Sequence, residues 1–349
     1  MQRPHLHHHR SAPPAPSLKP ARGALSRLAR PLLVAVLAAG CGTALYFGWG
    51  WLKASREPPP EPQKKMVEAP LNDAEWKAMI EGLQKNSKTY PGHVGIYIKD
   101  IQTGKTWEYN ADRLFPSASL VKVPIMAAVF EKIKLGAFTL DTQIKLTRRD
   151  RVGGSGSLKW VRDGTSLSVM EIIYKMITES DNTATRMLID YVGMNYLEGA
   201  FKTMGLVHTN ITPQGMSLAS GRVVNDNFTT PREMASLMER IYAGAMVDKE
   251  SSDFMLDVLK HNKSRSRLRK GLPLGWEIGH KTGLLRKACH DVGIVFSPRG
   301  DYVIAVLTSE APNYTAAKNF ISKVAKLTYQ YYKIDAEYAE AQGTEPKAL

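Results

Sequence analysis

A serine three residues ahead of a lysine, Ser119-Leu120-Val121-Lys122, is the first place where this chain could do chemistry. Two triplets follow in order, Ser180-Asp181-Asn182 and Lys281-Thr282-Gly283. A serine hydroxyl is a poor nucleophile until a base takes its proton. Residues three apart on a helix share a face, so Lys122 can reach Ser119. Lys122 works as that base only if burial and a neighbouring like charge lower its pKa, and Lys281 is the obvious source of that charge. Ser180 fits the task of passing a proton to a leaving nitrogen, and the Asn182 amide fits that of holding an acyl-side amide. Lys281 and Thr282 suit a substrate carboxylate, and Gly283 lets substrate approach the backbone closely. Each motif alone has an ordinary reading: an accidental surface S-x-x-K, a helix N-cap, a strand ending in a turn. Their order and joint chemistry favour an acyl-transfer site.

These residues need elements to hold them. An apolar helix is expected over 117–134, with Ser119 in its first turn, where free N–H groups and the positive dipole end face the reacting oxygen. Pro124 removes an N–H early in that helix and is expected to distort the turn. Helical spacing recurs over 168–179, 182–191, 195–204 and 231–243, which puts Ser180-Asp181-Asn182 in a short loop between two helices. Asn72 reads as the cap of a helix running to about Lys85. Val94–Ile98 alternates like a strand and forms a hairpin, through Thr103-Gly104-Lys105, with a strand containing Trp107 and Tyr109. Trp276–Thr282, His290–Phe296 and Tyr302–Thr308 read as further strands, and 313–333 as a final amphipathic helix. Two sheet blocks around a helical block predict an α/β (α+β) domain. Its antiparallel sheet is flanked by N- and C-terminal helices, and a helical subdomain is inserted between the strands.

The charge is uneven. Of the net +14, residues 1–65 contribute +8, from ten Lys/Arg against two Glu. The basicity therefore belongs largely to the leader and says little about substrate. Residues 1–30 read as a disordered basic cytoplasmic tail. Residues 31–52 carry no charge and are long enough to span a bilayer, with Arg22, Arg27 and Arg30 on the cytoplasmic side. An uncleaved transmembrane anchor is favoured. Leu37-Ala38-Ala39-Gly40-Cys41 keeps open a lipoprotein signal, and ordinary signal cleavage is the third option. All three put the domain outside the cytoplasm, on the periplasmic or outer face of the membrane. Residues 53–70 form a Pro-rich linker, 71–335 the domain and 336–349 a disordered tail.

Cys41 and Cys289 are the only cysteines, so the domain has no internal disulfide, and Cys289 reads as a buried small residue. His5, His7, His8 and His9 read as an unspecific leader cluster. His280 and His290 flank the lysine strand without a third ligand, with His280 placed to tune Lys281. Neither metal nor cofactor is called for, nucleic acid is an improbable partner, and a monomer is expected. Lys263, Arg265, Arg267, Arg269 and Lys270 read as a solvated basic helix end or loop. Trp160 is expected to wall the cleft or to pack in the core.

On its three motifs the chain resembles the class A β-lactamase superfamily over roughly residues 72–335, and more narrowly its related serine hydrolases and DD-peptidases. Gly153-Gly154-Ser155-Gly156-Ser157-Leu158, Ser180–Thr185 and His290-Asp291-Val292-Gly293 add local matches. The resemblance implies a β-lactamase/transpeptidase-like fold with its site between sheet and helical subdomain. It implies Ser119, Lys122, Ser180 and Lys281 as catalytic residues and Asn182, Thr282, Gly283 and Leu284 as substrate-binding ones. The backbone N–H groups of Ser119 and Leu284 would form the oxyanion hole. The substrates implied are β-lactams or the peptidoglycan stem peptides they mimic. One element of the family pattern is missing. Efficient class A enzymes carry a Glu-x-x-Leu-Asn segment whose Glu activates the deacylating water. From Gly199 through Arg232 this chain has no Glu, and its only acid is Asp226. Thr212–Ser217 occupies the expected place. Acylation can proceed without that Glu, whereas hydrolysis of a β-lactam adduct should be slow, which favours a DD-peptidase-like role. A weak β-lactamase using Asp226 or another base, and a sensor that is acylated without turnover, are the alternatives.

Overall fold

The computed structural model describes residues 73–216 and 226–333. The calls on the 1–30 tail, the 31–52 anchor, the 53–70 linker, the Asn72 cap and the 336–349 tail lie outside the described residues. Among those described, no helix is long and apolar enough to cross a membrane.

Five strands form one sheet in the order 106–109, 93–100, 302–309, 288–296, 277–285, every neighbouring pair antiparallel, and two small two-stranded sheets stand beside it. The N-terminal hairpin thus joins the C-terminal strands through the 93–100/302–309 ladder, and the helical block is the insertion between them. Side chains alternate across a strand, so Tyr302–Ser309 serves two cores at once. Tyr302, Ile304 and Val306 face the N- and C-terminal helices, Asp73–Lys88 and Tyr314–Tyr332, with Leu83, Ile321 and Val324. Val303, Ala305 and Leu307 face the helical side, in one cluster with Met126, Ile172 and Met238. Both faces are covered, which is why this strand reads as an unbroken apolar run.

The inserted helices are Lys122–Lys134, Val169–Thr178, Asn182–Val192, Met194–Thr203, Pro231–Tyr242 and Lys249–Lys260. Ser168 and Glu171 make a capping box at the second, and Thr230 caps the fifth with Pro231 in its first turn. The expected 117–134 helix divides in two. Ser119 lies in a 3-10 turn, Ala118–Val121, and the α-helix begins at Lys122. Pro124 is then the third residue of that α-helix, where an N–H has no partner inside the helix, so it breaks no ladder bond. The 249–260 helix is an addition to the expected elements, with Asp248 as its N-cap and Met255, Val258 and Leu259 on its buried face.

Candidate active site

The approach to Ser119 is pinned from three directions. Phe115–Pro116 pairs with Phe228–Thr229, Ser117 N donates to Asn227 O (2.7 Å), and His290 Nε2 donates to Pro116 O (2.7 Å). Thr308 N donates to the other ring nitrogen of His290 (3.2 Å), so the proton sits on Nε2. Burial pushes the His290 pKa down to about 4, and the ring stays neutral. These anchors hold Ala118 at φ 49°, a left-handed conformation that a non-glycine residue adopts at a cost. Gly283 packs on the same spot. A Cβ there would lie 3.1 Å from Ala118 Cβ and 3.0 Å from the His290 ring, so the glycine already serves the close packing of strand against turn.

Lys122 and Lys281 meet at Ser180. Lys122 Nζ donates to Ser180 O (2.6 Å), Asn182 Oδ1 (2.8 Å) and Ser180 Oγ (3.2 Å). Lys281 Nζ donates to Ser180 Oγ (3.0 Å) and to Thr282 O (2.8 Å). Both lysines are buried. Burial lowers the Lys122 pKa to about 7, with the charge of Asp181 opposing the fall. Lys281 is also pushed well below its ordinary value, first by burial and then by the positive charges of Lys122 and Arg267. A neutral lysine has two N–H donors and one lone pair. The two shorter bonds of Lys122 use both donors, and the lone pair is left for a hydroxyl proton.

The Ser180-Asp181-Asn182 turn is held by its middle residue. Asp181, fully buried, caps the Asn182–Val192 helix by accepting from Ala184 N (2.9 Å), and its other oxygen accepts from Leu158 N (2.7 Å). Gly156 sits against that carboxylate at φ 100°, where a Cβ would come within 2.1 Å of Asp181 Cγ. Ser155 O and Gly153 O accept from Asn182 N (3.1 Å) and Nδ2 (2.9 Å). Ser180 itself has φ 55°, a second strained residue at the site. The helix-cap reading and the site reading of this motif therefore both hold, on different residues.

Two cavities share Ser119, Ser155 and Leu284. The first, of about 260 Å³, runs past Ser180 and Thr282 to Glu179, Lys263 and Arg267. The second, of about 200 Å³, is lined by Lys122, Asn182, Gly215, Met216, Asp226 and Asn227. Seven of the eight sequence-predicted residues line one or both cavities or hydrogen-bond within this cluster, and Gly283 packs beneath it.

Three expectations change. Arg267 is not solvated: it is 5% exposed, donates from Nε to Cys289 Sγ (3.1 Å), and lines the first cavity beside Thr282. Trp160 neither walls the cleft nor packs in the core; it is 81% exposed. His280 Nδ1 bonds to buried Asp291 (2.8 Å), and it is the Asp291 carboxylate whose charge opposes the fall in the Lys281 pKa. Glu179, which the motif reading passed over, accepts from Lys263 (2.7 Å) and Ser157 (2.6 Å). Burial pushes its carboxyl up, but those bonds and the Lys175 charge outweigh it and hold the pKa at about 2. Among the described residues no group of three or more His, Cys, Asp or Glu is placed to hold a metal ion.

A serine beside a buried lysine of lowered pKa, with a second lysine across a shared hydroxyl, is the equipment of a serine hydrolase. The comparisons agree. The chain is 27% identical over 262 residues to the beta-lactamase VEB-1 of Pseudomonas aeruginosa, covering 70% of this chain and 87% of that protein. It is 29% identical over 316 residues to a beta-lactamase of Streptomyces fradiae, covering 86% and 96%. Among solved structures it is similar to a beta-lactamase from Sphaerobacter thermophilus (30% identity, TM-score 0.67, 78% of this chain and 99% of that one). It is also similar to PBP-A (30%, TM-score 0.66, 75% and 97%). Residues 78–332 match the model of the beta-lactamase enzyme family, and with that span covering the whole site the chain belongs to this family of serine hydrolases.

Proposed function

We propose that the protein forms an acyl-enzyme on Ser119 with β-lactams or with acyl-D-Ala-D-Ala peptides, and that the peptide is its working substrate. The observation that carries this reading is the convergence of Lys122 and Lys281 on Ser180 Oγ, both buried and both with lowered pKa. Lys122 takes the Ser119 hydroxyl proton as Oγ bonds to the substrate carbonyl carbon. Backbone N–H groups of Ser119 and Leu284 stabilise the oxyanion. The carbon–nitrogen bond then breaks, and the proton passes from Lys122 through Ser180 Oγ to the departing nitrogen, leaving an ester on Ser119. Asn182 holds the acyl-side amide, and Thr282 and Arg267 form the place for the carboxylate, with Gly283 packed beneath them. One chain carries every group, so the reading needs no second copy. The 31–52 segment would hold this domain at the extracytoplasmic face of the membrane.

The lean toward a peptidase rests on the second cavity. Its wall beside Ser119 is Gly215 and Met216, with no Glu between Gly199 and Arg232. A related structure, a PBP-A variant, is described as an acyl-enzyme complex with penicillin G. One observation favours a second reading, a weak β-lactamase: Asp226 lines that same cavity with Ser119 and Lys122.

An acylation time course with a fluorescent penicillin, run beside a chromogenic cephalosporin and a D-Ala-D-Ala peptide, tests the reading. A lasting adduct with release of D-Ala is expected. Rapid cephalosporin turnover establishes the β-lactamase instead, and a lasting adduct without D-Ala release means a sensor. Ser119→Ala should abolish the adduct, and a covalent adduct surviving in that variant would sink the mechanism.

A further inference from the structure

The first cavity offers more N–H donors than one substrate carboxylate uses. Ser180, the donor to the leaving nitrogen, lies on its wall, so this is the side that receives the departing group. Among the described residues two cations line it, Arg267 and Lys263, against a single acid, Glu179. The Nε of Arg267 is spent on Cys289, and its four remaining N–H groups have no protein partner among the described residues, although the side chain is nine-tenths buried. Those groups and Thr282 suffice for the carboxylate that ends the substrate. Lys263 then stands further along the same wall. It spends one of its three N–H donors on Glu179 and keeps the others free.

Glu179 is already engaged: one oxygen accepts from Lys263 and the other from Ser157, with Lys175 at 3.6 Å, so its charge is largely met by protein partners. Thr178, on the same wall, has a buried hydroxyl without a hydrogen-bond partner among the described residues. A methyl side chain on the departing residue would find one apolar neighbour on this wall, Leu284, among charged and polar groups. An acid would meet a donor set.

We propose that this arm is a two-anion subsite: it selects a departing amino acid that carries a second carboxylate beside its α-carboxylate, with Lys263 as the selecting residue. The proposal rests on the acyl-transfer reading above. It is tested on the full-length chain by competition against fluorescent penicillin, using N-acyl peptides that end in D-Ala-D-Ala, D-Ala-D-Asn and D-Ala-D-Asp. The Asn peptide matches Asp in size without its charge. D-Asp should compete about five- to tenfold better than D-Asn, a modest factor because Lys263 is partly solvated, and salt should shrink the preference. Lys263→Gln should bring that ratio to about one, and Lys263→Arg should keep it.

Equal competition by D-Asp and D-Asn, or a ratio unmoved in Lys263→Gln, overturns the subsite and leaves the acyl-transfer reading standing. If no peptide competes while penicillin still labels Ser119, the peptide reading fails and the subsite falls with it.

Discussion

The two arms of the cleft are built differently although they share Ser119. Around Ser180 two buried lysines share one hydroxyl, and the leaving-group side adds Arg267, bonded to Cys289, and Glu179, paired with Lys263. On the acyl side, the wall near Ser119 and Lys122 includes a glycine, a methionine, Arg186 and the short acid–amide pair Asp226-Asn227. Asn227 is occupied structurally: its Oδ1 accepts from Thr212 N (2.8 Å), and its Nδ2 contacts Met216 Sδ (3.1 Å). On the proposed reading, the contrast fits a chain better equipped to form an ester than to hydrolyse it. Buried cations are also costly to keep, so their gathering around Ser180 points to function rather than to packing.

The largest expected effect comes from removing the base of the crowded arm. Lys122→Ala should cut the acylation rate by about 10³-fold or more, measured with a fluorescent penicillin. In the wild type the same rate should rise with pH through about 7, as Lys122 loses its proton. Stability carries the same signature. Between about pH 7 and the ordinary lysine value of 10.5, the unfolded chain holds the Lys122 proton and the folded one does not. Wild-type stability relative to Lys122→Met should therefore increase with pH across that window and be flat below it. A pH-independent acylation rate, or a stability difference that ignores pH, breaks the claim that this arm runs on a depressed lysine.

The crowded arm was also the legible one, for a physical reason. Ser119 and Lys122 lie within one turn, so their partnership is written in local spacing. Ser180 and Asn182 bracket an Asp whose capping role fixes them whatever the rest of the chain does. The strands and most helices followed from apolar period. Arg267 was not legible. It stands in a run of five basic residues of which it alone is buried, and only the neighbouring strand, through Cys289, decides that. Glu179 was hidden similarly, because its partners Ser157 and Lys263 are distant in sequence. Trp160 misled through its type: a large aromatic implies a buried surface, but this one lies open to solvent.

Arg267→Ala sharpens the comparison one step down. The guanidinium contributes charge to the carboxylate end of the cleft and helps depress Lys281. Acylation by carboxylate-bearing substrates should fall about 10- to 100-fold, mostly through KM, the scale of losing one charge-assisted hydrogen-bond pair. An ester substrate without the carboxylate should lose much less. Equal losses for both would mean that Arg267 acts by holding the strand at Cys289 rather than by meeting substrate.

The smallest expected effect lies in the sparse arm. Among the described residues Asp226 is the only acid on its wall, yet its Oδ1 already accepts from the N–H of Asn227 (2.8 Å). A carboxylate turned onto its own backbone is poorly aimed at a water beside the Ser119 ester, so Asp226→Asn should change the lifetime of the penicillin adduct by less than about twofold. The readout is the decay of labelled protein after excess penicillin is removed, with the acylation rate measured in parallel. A tenfold longer lifetime with unchanged acylation would identify Asp226 as the deacylating base. The two arms would then be complementary halves of one hydrolytic cycle, and the weak β-lactamase would displace the peptidase.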